Sequence, residues 1–229
     1  MEEITGGKTP DAGQGDVAFW LPMLALFSGA RRNELASLQV ADVSKDEAAE
    51  LWTLAVHTDR HAGKRLKTTG SARTIPVHPE LVRLGFLTLV EAARKRGGNE
   101  AWLFPPVAPK GGNIKAWGKW FSRYLDGLGI TDERKGLHSL RHCFKDALRA
   151  GGVQEELSDA LTGHSNSTVG RSYGARARHA KQRHKVIIDR FGMVQMVEAI
   201  GKVKYPSVDL QAVHWQATDK KISDRKEQC

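Results

Sequence analysis

From Asn113 into the 190s the chain carries apolar residues at helical spacing, interrupted by glycines at 127 and 129, 151 and 152, and 163. Glycine stops helices because it takes up positive φ without strain and costs about 1 kcal/mol in a helix interior. This half of the chain is therefore expected to be mostly helical, with turns at those glycines. The first half is mixed. "DVAFWLPMLALFSG" is apolar and long enough for a buried helix, with Asp16 as its N-cap and Gly29 near its end. "RRNELASL" reads as a second, short helix. "LWTLAVHT" (51–58) alternates like a strand, and "KRLKTT" and "ARTIPV" flank Gly70 like the arms of a hairpin. "PELVRLGFLTLVEAARKRGG" (79–98) then returns to helical spacing and stops at Gly-Gly. The expected fold is mainly α with one small antiparallel three-stranded sheet, an α+β domain.

The organisation along the chain is simple. Residues 1–15 are Gly-rich and poor in large apolar side chains, and are expected to be a disordered tail or linker remnant. Residues 16–200 form the expected main folded domain, the part of the chain that would carry any catalytic site. Residues 201–229 form a C-terminal tail whose "KVKYPSVDL" has the character of a strand able to add to a neighbour's sheet edge, in trans.

Charge narrows the partners. The 229 residues include 35 basic and 26 acidic side chains, a net charge of +9. That surplus suits a polyanion, either nucleic acid or an anionic membrane surface. Cys143 and Cys229 stand far apart with no CxxC, no apolar run reaches the ~20 residues of a membrane span, and the acidic N-terminus is no signal peptide. A soluble protein of a reducing, cytoplasmic compartment is expected.

Breaking a phosphodiester without a metal needs permanently charged groups on the non-bridging oxygens, an in-line nucleophile and a proton donor for the leaving oxygen. The sequence offers such residues. "HSLRH" sets His138 and Arg141 three apart, on one helix face. "TGHSNSTVGRSY" sets His164 nine residues before Tyr173. "SGARRNEL" sets Arg31 at the end of the buried helix with Glu34 three residues on, and Lys67 falls in the hairpin region. Each residue taken alone has a plainer reading. Arg31 and Lys67 would be surface charges, beside Arg32 and beside Lys64 and Arg65. Tyr173 would be a core tyrosine, and His164 a helix-capping or core histidine. His138 and His142 have a spacing that can bind zinc, yet the glutamate general base of H-E-x-x-H is absent and no set of cysteines completes a site. Trp117 and Trp120 read as core.

In that order, "SGARRNEL", "KTTGSARTIP", "HSLR" and "LTGH…Y" resemble the motifs of the tyrosine recombinases of the phage-integrase family, over roughly residues 16–190. The resemblance implies the family's DNA breaking-rejoining fold and a division of roles. Arg31 and Arg141 would clamp the scissile phosphate, with Glu34 orienting an arginine or capping backbone. His138 would bind a phosphate oxygen or help move the tyrosine proton. Lys67 would be the general acid for the 5′-oxygen, His164 would hydrogen-bond phosphate or nucleophile, and Tyr173 would form a 3′-phosphotyrosyl link. No metal or cofactor is implied. The implied partners are a double-stranded DNA attachment site, three further copies in a homotetramer on DNA, and an N-terminal core-binding domain, expected to be missing from this chain. The basic residues Arg171, Arg176, Arg178 and Lys181 would face DNA phosphates. Phage or genomic-island integration is the expected use. A DNA-binding module without cleavage activity, and a DNA-relaxing enzyme like the type IB topoisomerases, are the alternatives.

Overall fold

A computed structural model describes residues 13–47, 50–66, 71–164 and 193–206. The apolar run forms helix α1 (Asp16–Ser28), the buried axis of the domain. Phe19, Trp20, Leu21, Leu24 and Phe27 are all at most 1% exposed, so this helix has no solvent face to speak of. Its N-cap is Gly15 and not the expected Asp16, which sits one residue later in the first turn. An acidic side chain there still meets the positive end of the helix dipole.

At the other end Gly29 closes α1 in the left-handed conformation, φ +61°. A Cβ at this position would lie 2.4 Å from the Phe144 ring, so the closure needs glycine on both counts. Helix α2 (Arg32–Ala36) follows at once, with Glu34 at its third position.

Among the described residues the sheet has three antiparallel strands in the order β1 (Val43–Asp46), β2 (Leu51–Val56) and β3 (Arg73–Pro76). Val43 pairs with Leu54 and Leu54 with Ile75, which puts one apolar row against the core. The strand number matches expectation, but one member differs. "KRLKTT" contributes only an isolated bridge between Asp59 and Lys64 among its described residues, and "VSKD" takes the edge position. Lys64 turns inward instead, 3% exposed, onto Asp42 at 2.6 Å.

The expected helix over 79–98 is divided. Helices α3 (Pro79–Arg83) and α4 (Phe86–Gly97) are separated by Gly85 at φ +94°. Helices α5 (Ile114–Gly127), α6 (Leu137–Ala150) and α7 (Glu155–Thr162) stop at the anticipated glycines. Helix α6 packs against α1 through Phe144 and Leu148, both fully buried. Trp117 is buried, and Trp120 packs half-buried beside it.

A last helix, α8, spans 193–201, and Met196, Ala199 and Ile200 join the core. The "KVKY" segment is not a strand. Val203 is buried, its carbonyl accepts from His78 Nε2 at 3.2 Å, and the Tyr205 hydroxyl donates to Leu26 O at 2.5 Å. The described start of the C-terminal tail is thus anchored in cis, and the remainder of "KVKYPSVDL" from 207 onward lies outside the described residues. Among the described residues, no helix is long and apolar enough to cross a membrane.

Candidate active site

Two helix ends meet beside the sheet. The C-termini of α1 and α7 each leave carbonyls without intrahelical partners, at the negative end of the helix dipole. Three arginines from three separate segments satisfy them. Arg141, on α6, donates Nη1 to Gly29 O and Nη2 to Thr162 O. Arg73, on β3, donates Nε to Leu161 O at 2.7 Å. Arg31, between α1 and α2, donates Nη2 to Gly163 O at 3.2 Å.

Glu34 supplies the carboxylate that two of these arginines share. It accepts from Arg31 Nη1 at 2.9 Å, from Arg73 Nη2 at 2.8 Å, and from the Arg31 backbone N–H at 2.8 Å. It therefore orients two arginines and caps α2 with the same side chain. Burial favours the neutral acid, but the charge and hydrogen bond of Arg73, with the backbone and side-chain hydrogen bonds from Arg31, outweigh it and hold Glu34 below the ordinary carboxylate range.

Among the described residues, these three guanidiniums and Lys145 stand against Glu34 and Asp159, which leaves positive charge uncompensated. Arg141 is 1% exposed. Burial, then the charges of Arg73 and Arg31, push its pKa down to about 10. It remains cationic at neutral pH, and an anion entering the site would relieve the repulsion. Arg31 is the outward member: its side chain is 22% exposed and lines a cleft of about 680 Å³ with Arg32, Arg65, Phe121, Arg134 and His138. Counting donors, Arg31 spends both Nη1 hydrogens on Glu34 and Ser71 and one Nη2 hydrogen on Gly163. Among the described residues its Nε–H and second Nη2–H have no partner.

The histidines fall in two places. His138 is exposed on the first turn of α6, on the wall of that cleft, and its ring stands edge-on to His142 at 5.0 Å. His164 follows α7, with Arg141 Nη2 3.3 Å from its Nδ1 and Thr162 Oγ1 2.9 Å from the same atom. Burial, then the positive charges of Arg141 and Lys145, push the His164 pKa down to about 4, so the ring is neutral at pH 7. Among the described residues no group of three or more His, Cys, Asp or Glu side chains is placed to hold a metal ion.

Arg31, Glu34, Arg141 and His164 thus come together from segments far apart in sequence, and His138 shares the cleft with Arg31. Lys67 and Tyr173 lie outside the described residues, as do Arg171, Arg176, Arg178 and Lys181. Arg73 is a member that sequence reading took only as a strand residue. The signal was there, since Arg73 is the arginine of "ARTIP", but its ion pair to a residue 39 positions away leaves no local trace.

A sequence profile of the phage integrase family matches residues 18–179. No curated protein sequence matches the chain. The fold is similar to that of an integrase from mycobacterium phage Brujita (TM-score 0.51, 18% identity, 95% of this chain and 58% of that one). It is also similar to the XerH site-specific recombinase in a pre-cleavage complex with difH DNA (TM-score 0.52, 21% identity, 76% and 47%). A third similarity is to the Tn1549 transposon integrase with transposon right-end DNA (TM-score 0.50, 21% identity, 82% and 61%). The chain therefore spans about half to three-fifths of the length of these neighbours.

Proposed function

The chain belongs to the phage integrase family, and from that premise we propose that it cuts and rejoins DNA through a 3′-phosphotyrosyl intermediate on Tyr173. One observation carries the reading. Three guanidiniums from separate segments gather at two helix C-termini, two of them sharing the Glu34 carboxylate, and leave positive charge beside a cleft that Arg31 enters.

Such a site binds a phosphodiester more strongly as its charge builds toward the transition state. Arg31 presents its two remaining N–H groups to the non-bridging oxygens, and Arg141 supplies fixed charge from beneath. Glu34 holds Arg31 so that little freedom is lost on binding. The phenol of Tyr173, with an ordinary pKa near ~10, becomes a competent nucleophile only among such cations. Its oxygen bonds to phosphorus, the bond to the 5′-oxygen breaks, and Lys67 protonates that leaving oxygen. Rejoining reverses the sequence with a partner strand's 5′-hydroxyl. His138, on the cleft wall, binds a phosphate oxygen or assists the tyrosine proton.

The same reading assigns DNA phosphate contacts to Arg171, Arg176, Arg178 and Lys181, and a homotetramer on two attachment sites as the working assembly. An upstream core-binding domain would clamp the opposite face of the duplex, and integration of a phage or genomic island would be the biological use. The test is covalent capture on a nicked suicide DNA substrate carrying the cognate site. The wild-type chain should form an adduct that survives denaturing electrophoresis, and Tyr173→Phe should form none. An adduct with the phenylalanine variant would end the proposal, and supercoil relaxation without two-site joining would move it to the topoisomerase class.

A further inference from the structure

Helix α5 carries a glycine, Gly118, well inside its span. Glycine is disfavoured in a helix interior, and alanine would form the helix better. Packing against the rest of the backbone does not call for it. Apart from its own helix backbone and adjacent residues, a Cβ at Gly118 would meet only two described atoms within 4 Å, and both belong to Arg32: Nη1 at 2.5 Å and Cζ at 3.5 Å. The missing Cβ thus leaves room for one guanidinium. Arg32 is exposed and lines the same cleft as Arg31. The two are consecutive in sequence but go to different walls. Arg31 is held by Glu34, Ser71 and Gly163, whereas Arg32 crosses to α5. Among the described residues the Arg32 side chain has no hydrogen bond or ion pair. The carboxylates of the cleft do not take it, since Glu34 is bonded by Arg31 and Arg73, and Glu133 forms no ion pair. A cation seated without a protein counter-charge, in a cleft that Arg65 also lines, suits an anion from outside.

We propose that Arg32 binds a DNA phosphate next to the scissile one, and that residue 118 is glycine so that α5 can seat this arginine. The inference rests on the reading of the cleft as the DNA site given above. Directed to different walls, the two guanidiniums serve two phosphates: Arg31 takes the reacting group and Arg32 its neighbour on the backbone. The neighbour's charge does not change during the reaction. The Arg32 contact therefore strengthens DNA binding and does little for the chemical step.

Arg32→Gln removes the charge at an exposed position and leaves the fold intact. Gly118→Ala keeps every charge but puts a methyl group where Nη1 lies, and the flexible end of Arg32 moves aside. Fluorescence anisotropy of a labelled duplex of arbitrary sequence, about 30 base pairs long, reads binding between about 50 and 200 mM salt. For Arg32→Gln the slope of log affinity against log salt should be shallower by about 0.9, the share of one phosphate, and affinity at about 0.1 M salt should fall roughly tenfold. Gly118→Ala should also lose affinity, by roughly three- to tenfold, while its Tm rises by about 2–4 °C because alanine is the better helix former. The double variant should bind no more weakly than Arg32→Gln. In single-turnover cleavage of the nicked substrate, Arg32→Gln should be slower at limiting DNA and recover most of that loss at saturating DNA. An unchanged slope in Arg32→Gln, wild-type affinity in Gly118→Ala, or a double variant weaker than Arg32→Gln would each overturn the proposal. A wild-type chain that binds the duplex but forms no adduct would refute the recombinase reading, with Arg32 still decided by the salt slope. A wild-type chain that binds no duplex would refute both.

Discussion

Glu34→Gln is the sharpest perturbation of the arginine cluster. The side chain is 3% exposed and accepts three hydrogen bonds, two from guanidiniums. Glutamine is nearly isosteric but neutral, and its NH₂ group turns a donor toward donors. Removing one partner of a buried ion pair costs about 3–5 kcal/mol, because the charge left behind is neither paired nor solvated. Here Arg73 is the residue stranded, at 1% exposure. Against a typical total of about 5–15 kcal/mol, the loss should lower Tm by roughly 6–20 °C. The pH dependence follows from the direction of the shift. Glu34 titrates below its ordinary 4.5 in the folded chain, so its contribution is complete above that value and is lost as pH falls through the folded pKa. Urea unfolding of wild type and variant, followed by circular dichroism between pH 7 and pH 3, measures both terms. The gap should be largest at pH 7 and shrink in acid. A gap under about 1 kcal/mol at pH 7, or one independent of pH, would refute the account of Glu34 as the shared counter-ion.

Other perturbations test neighbouring parts of the structure. Asp42 is 3% exposed and bonded by both Lys64 and His57, so Asp42→Asn should cost about 3–5 kcal/mol in the same urea assay. His57 is raised above its ordinary 6.5, chiefly by its hydrogen bond to Asp42 and despite partial burial. Its contribution is complete below 6.5 and fades as pH rises through the folded pKa, and His57→Gln should flatten that part of the stability profile. Gly29→Ala meets both a left-handed backbone and the Phe144 ring at 2.4 Å, and should lose about 2–4 kcal/mol, partly recovered by Phe144→Leu in the double variant. Tyr205→Phe deletes the bond to Leu26 O and should cost about 1 kcal/mol; no loss in thermal unfolding would mean that the tail is not anchored there.

The helices were legible because their signals are local. An apolar run ending at Gly29 and glycines at 127, 151 and 163 state their boundaries in adjacent residues. Gly85 was the punctuation mark overlooked inside 79–98, where apolar spacing continues across a backbone that cannot. The edge strand failed for the opposite reason. "VSKD" has one buried apolar residue and no alternation of its own, and is a strand because Val43 through Asp46 pair with Leu54 through Leu51. "KRLKTT" looks more like a strand, but Lys64 is drawn inward by Asp42, a long-range ion pair that propensity does not express. The site divides the same way. Arg31, Glu34, Arg141 and His164 sit in motifs short enough to read, whereas Arg73 matters through contacts visible only once α2, β3 and α7 are together.

The central claim is that one particular tyrosine takes up the DNA. The chain has three, Tyr124, Tyr173 and Tyr205, and trypsin isolates Tyr173 in the peptide 172–176. Mass spectrometry of the adduct from a nicked suicide substrate, after nuclease and trypsin digestion, locates the nucleotide. The account predicts a phosphotyrosyl-linked nucleotide on Tyr173 within peptide 172–176, with Tyr124 and Tyr205 unmodified. A nucleotide on either of the other two tyrosines, or on a serine, would contradict it.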